Sequence, residues 1–158
     1  MKYHKIDSKL FVKNRKNFMS RMKKSSVAFF NSNDIYPVSA DSTLPFEQHR
    51  DIFYLSGVDQ EESVLMLCPD ASDINLREVL FLKKTNNHIA VWEGPKLNKQ
   101  LAFETSGIKN VYWLDDMENI IDQVVKECDT IYYNHNEHYR AKIEVETREE
   151  RFNKWIEK

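Results

Sequence analysis

Pro45-Phe46-Glu47-Gln48-His49-Arg50-Asp51-Ile52-Phe53-Tyr54-Leu55-Ser56-Gly57, with Ser63-Val64-Leu65-Met66-Leu67 shortly after, is the stretch on which the fold turns. It opens on a proline, packs charged and aromatic side chains together, and stops on one of only three glycines in the chain. The aromatic and branched residues of Asp51 to Leu55 predict a strand, with Gly57 ending it. Ser63 to Leu67 predicts a second strand, closed by Pro69, and Arg77 to Lys83 a third, carrying Val79, Leu80, Phe81 and Leu82.

Working outward, Ser26 to Asn31 is a further apolar run, and such continuous runs imply a sheet covered on both faces. Ahead of it, Leu10, Phe11, Asn14, Phe18, Met19 and Met22 recur at helical spacing and predict a helix over Ser8 to Lys24, with Ser8 as N-cap and Lys23 and Lys24 at its negative end. Asn33 to Gln48 holds Pro37 and Pro45 and is expected to be irregular. A loop of that length in a small domain is usually functional or at an interface. Downstream, Thr85-Asn86-Asn87 predicts a turn and His88 to Trp92 a short returning strand. Asn98 to Thr105 predicts a short helix with Leu101, Ala102 and Phe103 inward and Gly107 as its stop. Val111 to Leu114 and Thr130 to Tyr133 predict strands. Between them, Asp115 or Asp116 is expected to cap a helix reaching about Cys128, with Met117, Ile120, Ile121, Val124 and Val125 on one face. Arg148 to Lys158 predicts a last helix whose Phe152, Trp155 and Ile156 need a surface to cover them. Strands first, then strands alternating with helices, make an α/β fold: a mixed β-sheet flanked by helices.

The 158 residues suit one core of folding size, and 41% hydrophobic content places the chain outside the disordered class. A net charge of −2, from 23 basic and 25 acidic residues, gives no broad field for nucleic acid or anionic lipid. No apolar run approaches membrane-spanning length and no leader pattern opens the chain, so the expected location is cytoplasmic and no membrane partner is expected. Cys68 and Cys128 are not spaced as a metal or redox motif and are expected as two reduced thiols in strand and helix positions. Three glycines cannot build a phosphate-cradling loop.

Catalytic patterns are missing. His135 and His138 frame Glu137, whereas a metalloprotease helix needs His-Glu-x-x-His, so this pair reads as the polar start of a helix. There is no nucleophile elbow, and the adjacent acidic pairs, such as Glu61 with Glu62, do not share a face of a helix or strand. Two segments look more specialised than the rest. One is the opening stretch from Pro45 to Gly57. The other is Val91-Trp92-Glu93-Gly94-Pro95, where a large flat side chain sits at a turn.

On these two segments the chain resembles the amino-terminal domain of aminopeptidase P, the Xaa-Pro aminopeptidases of the creatinase/prolidase superfamily. Phe46, Gln48, Asp51, Tyr54, Leu55 and Gly57 match the family's first motif, and Ser56 stands conservatively for its threonine. Trp92, Gly94, Ala102, Gly107 and Ile108 match the second, and Asn14-Arg15 fits its opening helix. The likeness covers about residues 8 to 133. Glu47 stands where arginine is common, Arg50 where a small polar residue is usual, and Val58 where an aromatic is usual.

The resemblance implies a ribonuclease-H-like domain over 1–146, with 147–158 starting toward a "pita-bread" catalytic domain absent from this chain. That domain would hold two divalent metal ions, manganese as a rule, and the enzyme would remove the residue ahead of proline. No catalytic or metal-binding residue is expected here, and the fragment alone is expected to be inactive. The implied role is accessory: shaping the cleft and contributing to a homo-oligomer. Asp51 and Trp92 are the implied cleft-lining residues for short Xaa-Pro peptides, with Phe46, Gln48, Tyr54, Leu55, Gly57 and Gly94 as motif positions of structural weight. The alternative is a non-catalytic protein- or peptide-binding module of the same fold.

Overall fold

The computed structural model describes residues 5–84, 94, 96–133 and 155. Helix α1 (Ser8–Met19) leads into strand β1 (Ser26–Asn31), followed by a small hairpin of β2 (Pro37–Ser39) and β3 (Ser42–Thr43). Then come α2 (Arg50–Ser56), β4 (Ser63–Leu67), β5 (Glu78–Leu82), α3 (Lys99–Ser106), β6 (Asn110–Trp113), α4 (Met117–Val125) and β7 (Thr130–Tyr133).

Five strands form one sheet in the order β6-β5-β4-β1-β7. β4 runs antiparallel to both its neighbours, setting Ala28 opposite Leu67 and Leu65 opposite Leu80. β6 is parallel to β5 and β7 to β1, so β4 alone runs against the other four. Alternation along the strands divides the core. Ala28, Phe30, Leu65, Leu67, Leu80 and Leu82 face α1, α2 and α3, meeting Ile52, Leu55 and Ala102. Val27, Met66, Val79 and Phe81 face α4, meeting Val124 and the half-buried Ile120 and Ile121. The central strands are therefore apolar on both sides, which is why they read as continuous runs. The mixed sheet flanked by helices is the architecture expected from the sequence.

Several local expectations are corrected. Asp51 to Leu55 is not a strand but the body of α2. Ile52, Leu55 and Ser56 fall on one buried face at helical spacing, His49 Nδ1 accepts from the Asp51 N–H at 3.3 Å, and Gly57 ends the helix at φ +70°. Strand propensity there is overridden by packing one helical face against the sheet, worth about 1.5–3 kcal/mol for each large apolar side chain buried. Helix α1 starts from Asp7, whose carboxylate accepts from Lys9 N–H at 2.9 Å, and it ends at Met19, leaving Lys23 and Lys24 outside. The 33–48 stretch contains the β2–β3 hairpin, exposed throughout. In α3 only Ala102 and Ser106 are buried; Leu101 and Phe103 lie on the outer side. Leu114–Asp116 forms a 3-10 turn before α4, Asp116 makes no side-chain cap bond, and α4 ends at Val125 rather than near Cys128. The turn at 85–87, the strand at 88–92, His135 with His138, and all of the last helix except Trp155 lie outside the described residues.

Candidate functional site

The first specialised segment is tied to Lys96 and Leu97, just beyond the second, at the end of the sheet where β1, β5, β6 and β7 finish. The link is the loop between α2 and β4. Gln48 precedes α2, and its side-chain amide donates to the carbonyls of Val58 at 3.1 Å and Gln60 at 2.9 Å beyond the helix. The same carboxamide oxygen accepts from His49 N–H at 2.8 Å and Asn33 N–H at 3.3 Å. One half-buried glutamine thus closes α2 into a loop and fixes the base of the 33–48 excursion. A carboxamide suits this place because it both donates and accepts; a carboxylate would face two carbonyl oxygens with no proton to give.

The 58–62 loop then reaches Lys96 and Leu97, just beyond the second segment. Gln60 Oε1 accepts from Leu97 N–H at 2.7 Å, and buried Glu61 pairs with Lys96. Glu62 adopts φ +49° and its carboxylate meets Lys83 Nζ at 2.5 Å, at the exit of β5. Glu61 and Glu62, adjacent in sequence, therefore face different partners. Lys99, on the first turn of α3, sets its ammonium 5.1 Å from the centre of the Trp113 ring, a cation–π contact at the end of β6.

The expected site residues other than Trp92 have the following places. Asp51 lies on the first turn of α2, where the helix N-terminus favours a carboxylate, and its side chain is 57% exposed. Phe46 is half-buried and Leu55 is core. Tyr54 turns its ring outward while its carbonyl accepts from Asn14 Nδ2 at 2.8 Å. Gly57 takes the left-handed conformation directly against the Phe11 ring. Gly94 has φ +81° with open space on the side where a Cβ would stand. Trp92 lies outside the described residues.

One organising residue was not singled out as a site by the sequence reading. Arg15 is fully buried on α1, with Nη1 donating to the carbonyls of Leu55 at 2.8 Å and Ser106 at 2.9 Å and Nε to Glu78 at 2.8 Å. Those carbonyls lie at the ends of α2 and α3, where the helix dipoles are negative. Burial pulls the guanidinium's pKa down, and Glu78 opposes that shift. The two helix ends are built alike. Ser56 and Ser106 each donate to the carbonyl four residues back and accept from the N–H two residues on, and Gly57 and Gly107 follow at φ +70° and +74°. The available signal was a cation three to four residues from Phe11 and Phe18 on the apolar stripe of an amphipathic helix.

The family described as "Aminopeptidase P, N-terminal domain" matches residues 11–132. The chain belongs to this family. It is 25% identical over 149 residues to the Xaa-Pro aminopeptidase of Escherichia coli K12, covering 94% of this chain and 34% of that protein. Human Xaa-Pro aminopeptidase 3 is 24% identical over 104 residues, 65% of this chain and 20% of its own length. The solved structure of Pseudomonas aeruginosa aminopeptidase PepP superposes with a TM-score of 0.76 at 22% identity, over 97% of this chain and 33% of that one, a likeness of fold. The chain thus spans about a third or less of the length of these relatives. Among the described residues no three His, Cys, Asp or Glu side chains are placed to hold a metal ion, and no helix is long and apolar enough to cross a membrane.

Proposed function

We propose that this chain is the accessory amino-terminal part of a cytoplasmic Xaa-Pro aminopeptidase. Its catalytic partner, a domain outside residues 1–146, would hold two divalent metal ions, manganese the expected pair, and cleave the bond ahead of proline. The accessory domain would wall the cleft for short Xaa-Pro peptides and contribute contacts to a homo-oligomer. The observation that supports this reading is the tie from the first motif segment to Lys96 and Leu97, through Gln48, Gln60 and the Glu61–Lys96 pair. In this reading Asp51 holds the peptide's ammonium or a cleft arginine through a charge-assisted hydrogen bond, and Trp92 offers a flat apolar ring to the proline side of the peptide.

The test is hydrolysis of an Arg-Pro-Pro tripeptide by the whole protein with manganese, alongside the 158-residue chain. Release of the first residue by the whole protein alone supports the proposal. Activity in the isolated chain would overturn the accessory role. Silence from a whole protein that lacks metal ligands downstream would favour the peptide-binding module instead.

A further inference from the structure

Sixty residues apart in sequence, Cys68 and Cys128 come together on the α4 side of the sheet, with their sulfurs 3.6 Å apart. Both are free thiols. Cys68 directly follows β4 and is 1% exposed, while Cys128, in the turn between α4 and β7, is partly exposed. The backbone is pinned around both. Cys68 N–H donates to Arg77 at 2.9 Å and Cys128 N–H to Val125 at 3.1 Å. Glu127 accepts from the Ser72 N–H at 3.0 Å and the Ser72 hydroxyl at 2.6 Å, and Asp129 N–H donates to Ser25, whose own N–H donates to Asp70. A disulfide needs sulfurs about 2.05 Å apart, so closure asks for roughly 1.5 Å of side-chain rotation between segments already fastened on either side.

We infer that Cys68 and Cys128 form a peroxide-responsive pair, in which oxidation joins them in a disulfide that locks the end of β4 to the α4–β7 turn. The exposed partner reacts first. The Cys128 thiolate attacks one oxygen of hydrogen peroxide, the O–O bond breaks, and the departing hydroxide takes up the thiol's proton as water, leaving a sulfenic acid. The Cys68 sulfur then attacks that sulfenic sulfur, the S–O bond breaks, and the hydroxyl leaves as water with the Cys68 proton. Two thiols and one peroxide become one disulfide and two waters. Burial pushes the Cys68 thiol up to about 12, which keeps it protonated and slow toward the oxidant, and it is the 3.6 Å approach of its sulfur to Cys128 that fits it to resolve the sulfenic acid. In reducing surroundings the pair stays open, as it is in this structure.

The test treats the 158-residue chain with hydrogen peroxide and reads intact mass, a non-reducing peptide map and the melting temperature. The expected result is loss of two hydrogens, a linked Cys68–Cys128 peptide pair, and a melting temperature that rises and falls back with dithiothreitol. Oxygen atoms gained at Cys128 with Cys68 still alkylatable after unfolding would overturn the inference, as would a disulfide between two chains or two unreacted thiols. In Cys68→Ser, dimedone should trap a sulfenic acid at Cys128; a folded variant giving no adduct would overturn the order of steps.

Discussion

Arg15 Nε lies 2.8 Å from Glu78 Oε2, joining the middle of α1 to the first residue of β5. Nη1 of the same guanidinium bridges the last turns of α2 and α3, so one side chain fastens the three helices on one face of the sheet to one another and to a central strand. An arginine suits this position because its planar fork spreads donors in fixed directions, whereas an ammonium is a single point.

Replacing Arg15 should therefore destabilise the domain far beyond an ordinary surface change. Arg15→Ala removes the partner of a partly buried carboxylate and leaves two helix-end carbonyls without a donor. The expected loss is about 3–5 kcal/mol in chemical denaturation. Arg15→Lys keeps the charge but not the three-way geometry and should fall between the two. A loss under about 1 kcal/mol for the alanine variant would show that the hub is not what holds the helices.

Gly57 and Gly107 share a backbone conformation but not surroundings. A Cβ at Gly57 would run into three atoms of the buried Phe11 ring, whereas at Gly107 its one severe contact is a methyl of half-buried Val12, at 2.6 Å. Both substitutions meet left-handed strain of about 1–2 kcal/mol and both overpack, but the overpacking of roughly 1–3 kcal/mol is heavier at Gly57, where three atoms of a buried ring stand in the way rather than one methyl. Gly57→Ala should therefore be the more damaging, and adding Phe11→Leu should recover part of its loss. Equal effects at the two glycines would contradict this.

The legibility of these features follows from how local they are. β1, β4 and β5 were readable because a strand buried on both faces leaves an unbroken apolar run. α2 was not, because Ile52, Phe53 and Tyr54 carry strand propensity; the deciding information was one-sided, Ile52 and Leu55 inward with Tyr54 outward. In α3 the small side chains of Ala102 and Ser106, rather than Leu101 and Phe103, allow close approach to the sheet, and hydrophobicity alone misleads there. The motif residues around Gln48 were visible in sequence, but their bonding to Val58 and Gln60 was not. The approach of Cys68 to Cys128 depends on β1 lying between β4 and β7, a property of topology rather than of spacing.

Asp51 separates structural from functional weight. Its exposed carboxylate contributes the modest helix-terminus stabilisation of about 0.3–1 kcal/mol. If it also holds a charged group in the cleft, Asp51→Asn in the whole protein should lower kcat/KM for Xaa-Pro peptides by roughly ten- to a hundredfold, the worth of a hydrogen bond to a charged partner. Gln48→Glu is the contrasting variant. It should lower the melting temperature by confronting the Val58 and Gln60 carbonyls with a carboxylate. Steady-state kinetics and a thermal melt on both variants distinguish the roles, and an unchanged kcat/KM in Asp51→Asn would remove it from the cleft.

The Cys68 thiol gives the domain an alkaline limb of its own. Burial, then the hydrogen bond with Cys128, holds its pKa up at about 12 in the folded chain, against about 8.5 when unfolded. Because the folded value is the higher one, the contribution is fully present below about pH 8.5. It is lost as pH rises toward about 12, since the unfolded chain releases this proton first. The slope is up to about 1.4 kcal/mol per pH unit in that window. Cys68→Ala carries a constant cavity cost but lacks this titration, so the stability gap between wild type and variant should be flat from pH 6 to about pH 8 and should narrow above it. Urea denaturation of both chains across that range, under reducing conditions, measures the gap directly. A gap that stays constant to about pH 10 would mean that the folded thiol ionises as readily as the unfolded one.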